Sequence, residues 1–304
     1  MASVSVFGGG AWGRALAFGF SKKNVVKIIS RRDISGLIAP NIEQVDIKTG
    51  LQSEFFVIAI ATNALRDWLS TFELPKDSKV LCVCKGIETN ANNQNSLVSD
   101  IIEQHISSKN VCYLGGPSFA NEVLLELPCA VVVHSRNLVL AREFGALFPS
   151  FMKTYTSPDV IGGEIAGAYK NVIAIAAGIC DGLNLGNNAK AALLARGLVE
   201  MSRFGEHFGA KMETILGLSG AGDLFLTSNS TMSRNYRVGL GLAQGKSKQT
   251  ILAEIGEVAE GVLTSAAITR IGESENVYVP IAKEVNAIIE GKSITESLNA
   301  LMDT

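Results

Sequence analysis

Short, almost uninterrupted apolar runs punctuate the first half of the chain: VSVF from Val4, VVKIIS from Val25, FFVIAIA from Phe55, KVLCVC from Lys79, VCYL from Val111 and AVVV from Ala130. Strands with no polar face belong to a parallel sheet covered by helices on both sides. Helical stretches separate these runs, so the pattern predicts a doubly wound α/β domain. After about Pro158 the strand pattern stops. Helical periodicity takes over in NAKAALLARGLVEMSRFGEHF (188–208), and further helices are expected over Arg234–Ala243, Thr264–Ser274, Val279–Glu290 and Thr295–Met302. Ser157, Pro158 and Asp159 make a good helix start, which Gly162 and Gly163 are expected to interrupt soon after. The seam therefore divides an α/β domain, 1–158, from an all-α domain, 159–304.

One apolar helix carries an unexpected charge. AGAYKNVIAIAAGICDG, Ala166 to Gly182, has Lys170 near its start. A buried, unpaired ammonium is costly, so it must reach water or be held for use. At about 100° per residue, Lys170 shares a side with Ala166, Gly167, Asn171, Ala174, Ala177, Gly178 and Asp181, while Val172, Ile175 and Ile179 point away. A strip with so little bulk can pack closely on another helix. It can equally leave room for a ligand facing Lys170 and Asn171, where desolvation would lower the lysine pKa toward the range useful for proton transfer.

With 304 residues and 47% hydrophobic content the chain can bury two cores. The formal net charge of -2 argues against a surface built for nucleic acid, while allowing local basic clusters. The start, MASVSVFGGG, has no basic segment followed by a long apolar one, and no apolar run suggests a membrane span, so a cytoplasmic protein is expected. Cys82, Cys84, Cys112, Cys129 and Cys180 lie in apolar runs without a CxxC pair, which points to reduced core thiols rather than a metal site. The histidines stand in no ligand spacing, leaving acid-base chemistry to Lys, Asp or Glu.

VFGGGAWGRALA places Gly8, Gly10 and Gly13 as G-x-G-x-x-G between a strand and a helix. In that context the glycines allow a tight turn, close approach to a pyrophosphate and helix-on-strand packing. Where an acidic residue would take the ribose hydroxyls of NAD, this chain has SRRD. Arg31 and Arg32 can clamp a 2′-phosphate, favouring NADP(H) with NAD(H) still usable, or they are a solvated pair after a strand. Lys85-Gly86 follows one strand and GGPSFANE follows another, with Ser118 able to cap a helix beginning near Phe119. Each is a plain loop or part of a cleft at one sheet edge. In GLSGAGDLFLTSNSTMSRNYRVG, Asp223 and Thr227 share a helix face, and Ser233, Arg234, Asn235 and Arg237 offer donors to a phosphate. Asp223 can also be read as an N-cap and the arginines as a solvated face.

Taken together, GGPSFANE, AYKNVIAIAAGICDGL, SGAGDL, SRNYRVG and GEVAEGV make the chain resemble bacterial NAD(P)-dependent glycerol-3-phosphate dehydrogenases over nearly its whole length. The resemblance implies a Rossmann domain followed by an all-α domain like the C-terminal domain of 6-phosphogluconate dehydrogenase. It implies reduction of dihydroxyacetone phosphate to sn-glycerol 3-phosphate for phospholipid synthesis, with no metal. By position it makes Lys170 the acid-base lysine and Lys85 and Asp223 its substrate-binding and proton-relay partners, with Thr227 matching related eukaryotic enzymes. Gly116, Ser118, Asn171, Ser233, Arg234 and Asn235 match positions around the substrate. Ala11, Trp12, Lys85, Ala120, Arg234, Val258 and Glu260 join the fingerprint glycines near the cofactor.

The expected mechanism sends hydride from a nicotinamide in an interdomain cleft to the ketone carbon and a proton from Lys170 to the oxygen. The segment between Arg32 and Phe55 is shorter than such enzymes usually carry, as if a helix on the adenine side were trimmed. The apolar C-terminal helices would support a homodimer. Two other readings compete: a dehydrogenase of the same plan acting on a hydroxy acid such as 3-hydroxyisobutyrate, and a non-catalytic NADP-sensing module. The paired arginines of SRNYRVG favour a phosphorylated substrate over the first, and a sensor would not need the lysine, Asp223 and Thr227.

Overall fold

A computed structural model describes residues 1–90 and 94–303. Its strands are β1 (Ser3–Phe7), β2 (Val25–Ile29), β3 (Ile42–Gln44), β4 (Phe55–Ile58), β5 (Lys79–Cys82), β6 (Ile87–Thr89), β7 (Asn95–Leu97), β8 (Val111–Gly115), β9 (Cys129–His134) and β10 (Met152–Ser157). The chain divides into two compact units, Met1–Cys84 with Val98–Val160, and Lys85–Leu97 with Ile161–Thr304. The excursion 85–97 thus groups with the helical residues, which a continuous 1–158 domain does not allow for.

In the first unit an eight-stranded sheet runs β10-β9-β8-β5-β4-β1-β2-β3. From β8 to β3 all neighbours are parallel, in registers such as Val4↔Phe55 and Val6↔Val57. β9 departs from the parallel pattern: it runs antiparallel to β8, and β10 follows it in parallel. The helices are α1 (Ala11–Ser21), α2 (Ile47–Gly50), α3 (Leu65–Thr71), α4 (Val98–Ile102), α5 (Ala120–Leu124) and α6 (Leu138–Leu147). Strand β4 shows why its run is apolar throughout. Phe55 and Val57 enter the core with Leu16, Phe20 and Phe144, and Phe56 and Ile58 enter the opposite core with Leu65 and Ile101. Between β2 and β3 there is one 3-10 turn, Ser35–Leu37, in place of a helix, consistent with the short segment in the sequence.

The second unit contains the β6–β7 hairpin and α7 (Val160–Gly182), α8 (Gly186–His207), α9 (Met212–Leu216), α10 (Asp223–Ser228), α11 (Arg234–Ala243), α12 (Lys248–Ile255), α13 (Glu260–Ser274), α14 (Pro280–Ile289) and α15 (Ile294–Met302). Helix α7 runs unbroken through Gly162 and Gly163, contrary to the interruption expected there. By length and composition it is able to cross a membrane, again contrary to expectation, yet its most apolar stretch is 89% buried inside the protein. Val172, Ile173, Ile175 and Ile179 put it at the centre of the unit's core. Beside Lys170, the Tyr169 hydroxyl donates to Glu200 at 2.7 Å. The Glu200 carboxylate also accepts from the N–H groups of Ile281 and Ala282, capping α14 behind Pro280, which has no N–H to satisfy.

The bulk-free strip of α7 has two uses. Toward its C-terminal end it touches α11 backbone to backbone: a Cβ on Gly178 would lie 2.1 Å from the Tyr236 carbonyl oxygen, and one on Gly239 2.0 Å from that of Ile175. Neither contact can yield without moving a helix. Gly178→Ala should therefore destabilise the protein by about 1–3 kcal/mol, measured as a lowered urea midpoint; an unchanged midpoint would contradict the close crossing.

Candidate active site

Toward its N-terminal end the same strip serves a charged cluster within the second unit. Three elements supply it. Lys170 projects from α7. Asp223 opens α10 immediately after a five-residue π turn, Leu218–Gly222. A side chain at Gly220 would put its Cβ 1.9 Å from the Ile215 carbonyl oxygen, so the SGAG sequence permits the turn that aims Asp223. Lys85 precedes Gly86, whose φ of 138° turns the chain from β5 toward the hairpin, and its methylenes lie against the bare backbone at Gly167.

Asp223 is not an N-cap; Gly222 occupies that position and the carboxylate faces the lysines. Its Oδ1 accepts from Lys170 Nζ at 2.5 Å and its Oδ2 from Lys85 Nζ at 2.9 Å. Thr227, one turn along α10, accepts from Lys170 Nζ at 3.1 Å and donates to Asp223 Oδ1 at 3.2 Å. Lys170 and Asp223 are only 7% and 2% exposed, so these contacts act with little water to weaken them. Burial pulls the Lys170 pKa down to about 8, with the Lys85 charge adding to the fall and Asp223 and Glu260 opposing it. Burial pushes the Asp223 carboxyl the other way, upward, but the Lys170 and Lys85 ammonium groups outweigh it and hold the group below its usual range. The cluster sets a buried ammonium, its pKa lowered to about 8, against a carboxylate whose other oxygen accepts from Lys85.

Around α11 the predicted donors are placed differently from one another. Ser233 is the N-cap and accepts from Tyr236 N–H at 3.2 Å. Arg234 is exposed and pairs with Glu257 at 3.1 Å, a partner the sequence reading overlooked although GEVAEG was singled out. Asn235 is buried, and its Oδ1 accepts from Gly261 N–H at 2.9 Å, which ties α11 to the start of α13 beside Glu260; Val258, just before, is exposed. Asn171 is turned back on its own helix, its Nδ2 donating to the Gly167 carbonyl at 3.3 Å rather than extending beside Lys170.

The nucleotide fingerprint lies in the first unit, at the switch point where β1 sits between β2 and β4. Gly8 has φ of 123°, and a Cβ there would lie 2.1 Å from the Ala59 carbonyl oxygen; a Cβ on Gly13 would lie 1.9 Å from that of Gly8. A Cβ on Gly10 would meet nothing, which is the open approach a pyrophosphate needs. No side chain caps α1 and its first turn, with Ala11 and Trp12, contains no acid. The buried Trp12 Nε1 makes no hydrogen bond to protein. These features suit a bound dinucleotide.

Arg31 and Arg32 are exposed just past β2. Asp33 is engaged locally, accepting from Ser35 N–H at 2.9 Å. Gly116, with φ of 103°, follows β8. Ser118 does not cap the next helix; Phe119 holds the N-cap position before Ala120, and the Ser118 hydroxyl donates back to the Gly116 carbonyl at 3.3 Å.

Residues 38–141 match the family model for the N-terminus of NAD-dependent glycerol-3-phosphate dehydrogenase, and residues 159–299 the model for its C-terminus. The chain is 66% identical to a glycerol-3-phosphate dehydrogenase [NAD(P)+] of Helicobacter hepaticus, covering 99% of this chain and 100% of that one. It is 56% identical to one of Wolinella succinogenes, covering 98% of each. Among solved structures, glycerol-3-phosphate dehydrogenase of Coxiella burnetii matches with a TM-score of 0.93 at 28% identity, covering 100% of this chain and 99% of that one.

The charged cluster makes its own prediction. Asp223→Asn removes the carboxylate that raises the Lys170 pKa and leaves the Lys85 charge that lowers it, so Lys170 should titrate below the wild-type midpoint of about 8. The nitrogen chemical shift of its Nζ, followed against pH, checks this; a midpoint that stays put or rises would contradict it.

Proposed function

We propose how the reaction is divided among the residues of this chain, which belongs to the NAD-dependent glycerol-3-phosphate dehydrogenase family. The enzyme reduces dihydroxyacetone phosphate reversibly to sn-glycerol 3-phosphate with NAD(P)H, and the product supplies phospholipid synthesis. Reduction of a ketone adds hydride to carbon and a proton to oxygen. The nicotinamide, when bound, supplies the hydride. The protein must supply the proton at the moment the oxygen becomes basic.

The observation that carries the assignment is the buried Lys170–Asp223–Lys85 cluster. Lys170 donates its proton to the developing alkoxide and leaves the step as a neutral amine. Asp223 and Thr227 hold the Nζ in one orientation beforehand, and Lys85 adds positive charge for the forming oxyanion. Arg234 and Asn235, at the start of α11, take the substrate phosphate, which turns binding energy into orientation. In the first unit Gly8, Gly10 and Gly13 leave backbone N–H groups open to the pyrophosphate, and Arg31 and Arg32 take a 2′-phosphate, favouring NADP(H) while NAD(H) remains usable. The same reading includes a cytoplasmic location and a homodimer, for which Leu263 in α13 and Met302 in α15 offer exposed apolar surface.

Lys170→Ala should lower kcat for dihydroxyacetone phosphate reduction by about 10²–10⁴, and near-normal turnover would remove the lysine from the chemistry. The wild-type pH dependence carries a sign. Reduction needs the ammonium, so its kcat/KM falls as pH rises through about 8, while glycerol 3-phosphate oxidation needs the amine and rises over the same window. Replacing Arg31 and Arg32 with glutamine should raise KM for NADPH far more than for NADH. Equal losses for the two cofactors would end the 2′-phosphate role.

A further inference from the structure

About three turns beyond Lys170 on α7, Asp181 gathers two donors on a single oxygen. Its Oδ2 accepts from the Tyr236 hydroxyl at 2.5 Å and from Lys190 Nζ at 2.5 Å. The Lys190 ammonium also stands 5.5 Å from the centre of the Tyr236 ring. Each residue comes from a different helix: Asp181 from α7, Lys190 from α8 and Tyr236 from α11. Tyr236 is also fixed at its backbone, since its N–H donates to the Ser233 N-cap of α11. It therefore belongs to the same helical turn as Arg234 and Asn235.

The protonation states keep this knot closed at neutral pH. Burial pushes the Asp181 carboxyl up, but the hydrogen bonds and charge of its two donors prevail and hold it below its usual range, so it remains an ionised acceptor. Burial and the Asp181 charge push the Tyr236 hydroxyl up to about 12, so it keeps its proton and goes on donating. The neighbouring crossing of α7 and α11 is made by Gly178 and Gly239. Two glycines permit a close approach but provide no side chain to interlock, and ridges fitting into grooves are what ordinarily fix the rotation of one helix on another. Ala243 and Leu240 of α11 lie against Gly182 of α7, and Tyr236 with Asp181 adds the directional polar contact between the two helices.

We propose that Tyr236, held by Asp181 and Lys190, is a positioning residue that fixes the start of α11 relative to Lys170 on α7, and thereby selects a ketone whose phosphate lies at one set distance from its carbonyl. The inference rests on the reading that Lys170 gives the proton and Arg234 and Asn235 take the phosphate. In dihydroxyacetone phosphate the carbonyl carbon and the phosphorus are joined through one carbon and one ester oxygen, so their separation has little slack. A small rotation of α11 then misplaces the carbonyl against Lys170 whenever the phosphate is bound, and misplacement by about 1 Å can lower the rate about 10²-fold. A ketone without a phosphate makes no use of α11 and does not feel the rotation.

The test uses the full-length enzyme with saturating NADPH and compares kcat/KM for dihydroxyacetone phosphate with kcat/KM for dihydroxyacetone. Tyr236→Phe keeps the ring and removes only the hydroxyl that reaches Asp181. The expected result is a fall of about 10–100-fold for the phosphorylated substrate, with dihydroxyacetone within about twofold of wild type. Equal falls for both substrates would make the knot merely structural, and no fall for either would leave it without a role; either result overturns the proposal. Asp181→Asn, which keeps the side-chain size and weakens the acceptor, should move the same ratio in the same direction and serves if Tyr236→Phe does not fold. Arg234→Ala separates the two levels of the argument. If it leaves the preference for the phosphorylated substrate intact, the phosphate assignment has failed, independently of what Tyr236→Phe does.

Discussion

Two ammonium groups meet at one buried carboxylate, and much of the second unit is arranged so that they can. Either lysine alone, paired with Asp223, would make a neutral ion pair of the kind that many cores contain at little net gain. With both present, one positive charge is left over in a place with little water. That surplus suits a site where an oxygen is about to become negative, and it lowers the energy needed for Lys170 to give up its proton. Bringing the three groups together uses bare backbone at two points, Gly86 to turn the chain and Gly220 to close the π turn ahead of Asp223, while the Lys85 stem lies in ordinary contact over Gly167. Gly86 and Gly220 serve the charged cluster indirectly, by permitting the backbone paths that bring Lys85 and Asp223 to it.

The first unit offers positive character by another route, through the uncapped end of α1 and two exposed arginines past β2. The chain as a whole has a formal charge of -2, so these are local fields on a mildly acidic molecule. Such an arrangement attracts phosphates to chosen points without making the entire surface attractive to polyanions.

How much of this was legible in the sequence depended on whether a feature repeats locally. Strands β4, β8 and β9 stood out because burial on both faces favours apolar residues at nearly every position, and β1, β2 and β5 because their runs are mostly branched and apolar. Strand β10 did not: it is an edge strand with the polar alternation MKTYTS, and β3 is only IEQ. The reversal of β9 against β8 leaves no trace in composition. The excursion 85–97 lies inside the α/β half of the sequence, and its packing of Ile87 and Leu97 into the helical core, with Lys85 bound to Asp223 and Thr89 to Arg270, reveals its allegiance. Lys170, Asp223 and Thr227 were legible because helical spacing puts a charge on a bare strip and a hydroxyl one turn from a carboxylate. Pairings between distant helices, such as Tyr236 with Asp181 or Glu200 with Tyr169 and the start of α14, have no spacing to read. The strip count did place Asp181 on the same side as Lys170, but nothing in it named a partner.

The length and composition of α7 bear on how the chain is handled before it folds. Its 23 residues are long and apolar enough to cross a membrane by length and composition, and its burial offers no cover while the rest of the unit is still unmade. Lys170 lies one residue from the midpoint of that helix. A lysine near the centre of a helix opposes insertion into a bilayer by roughly 2.5–3.5 kcal/mol, more than one near an end, which can reach the interface. The side chain that Asp223 holds in the folded protein is, in the nascent one, a charge near the middle of this helix that opposes its entry into a bilayer.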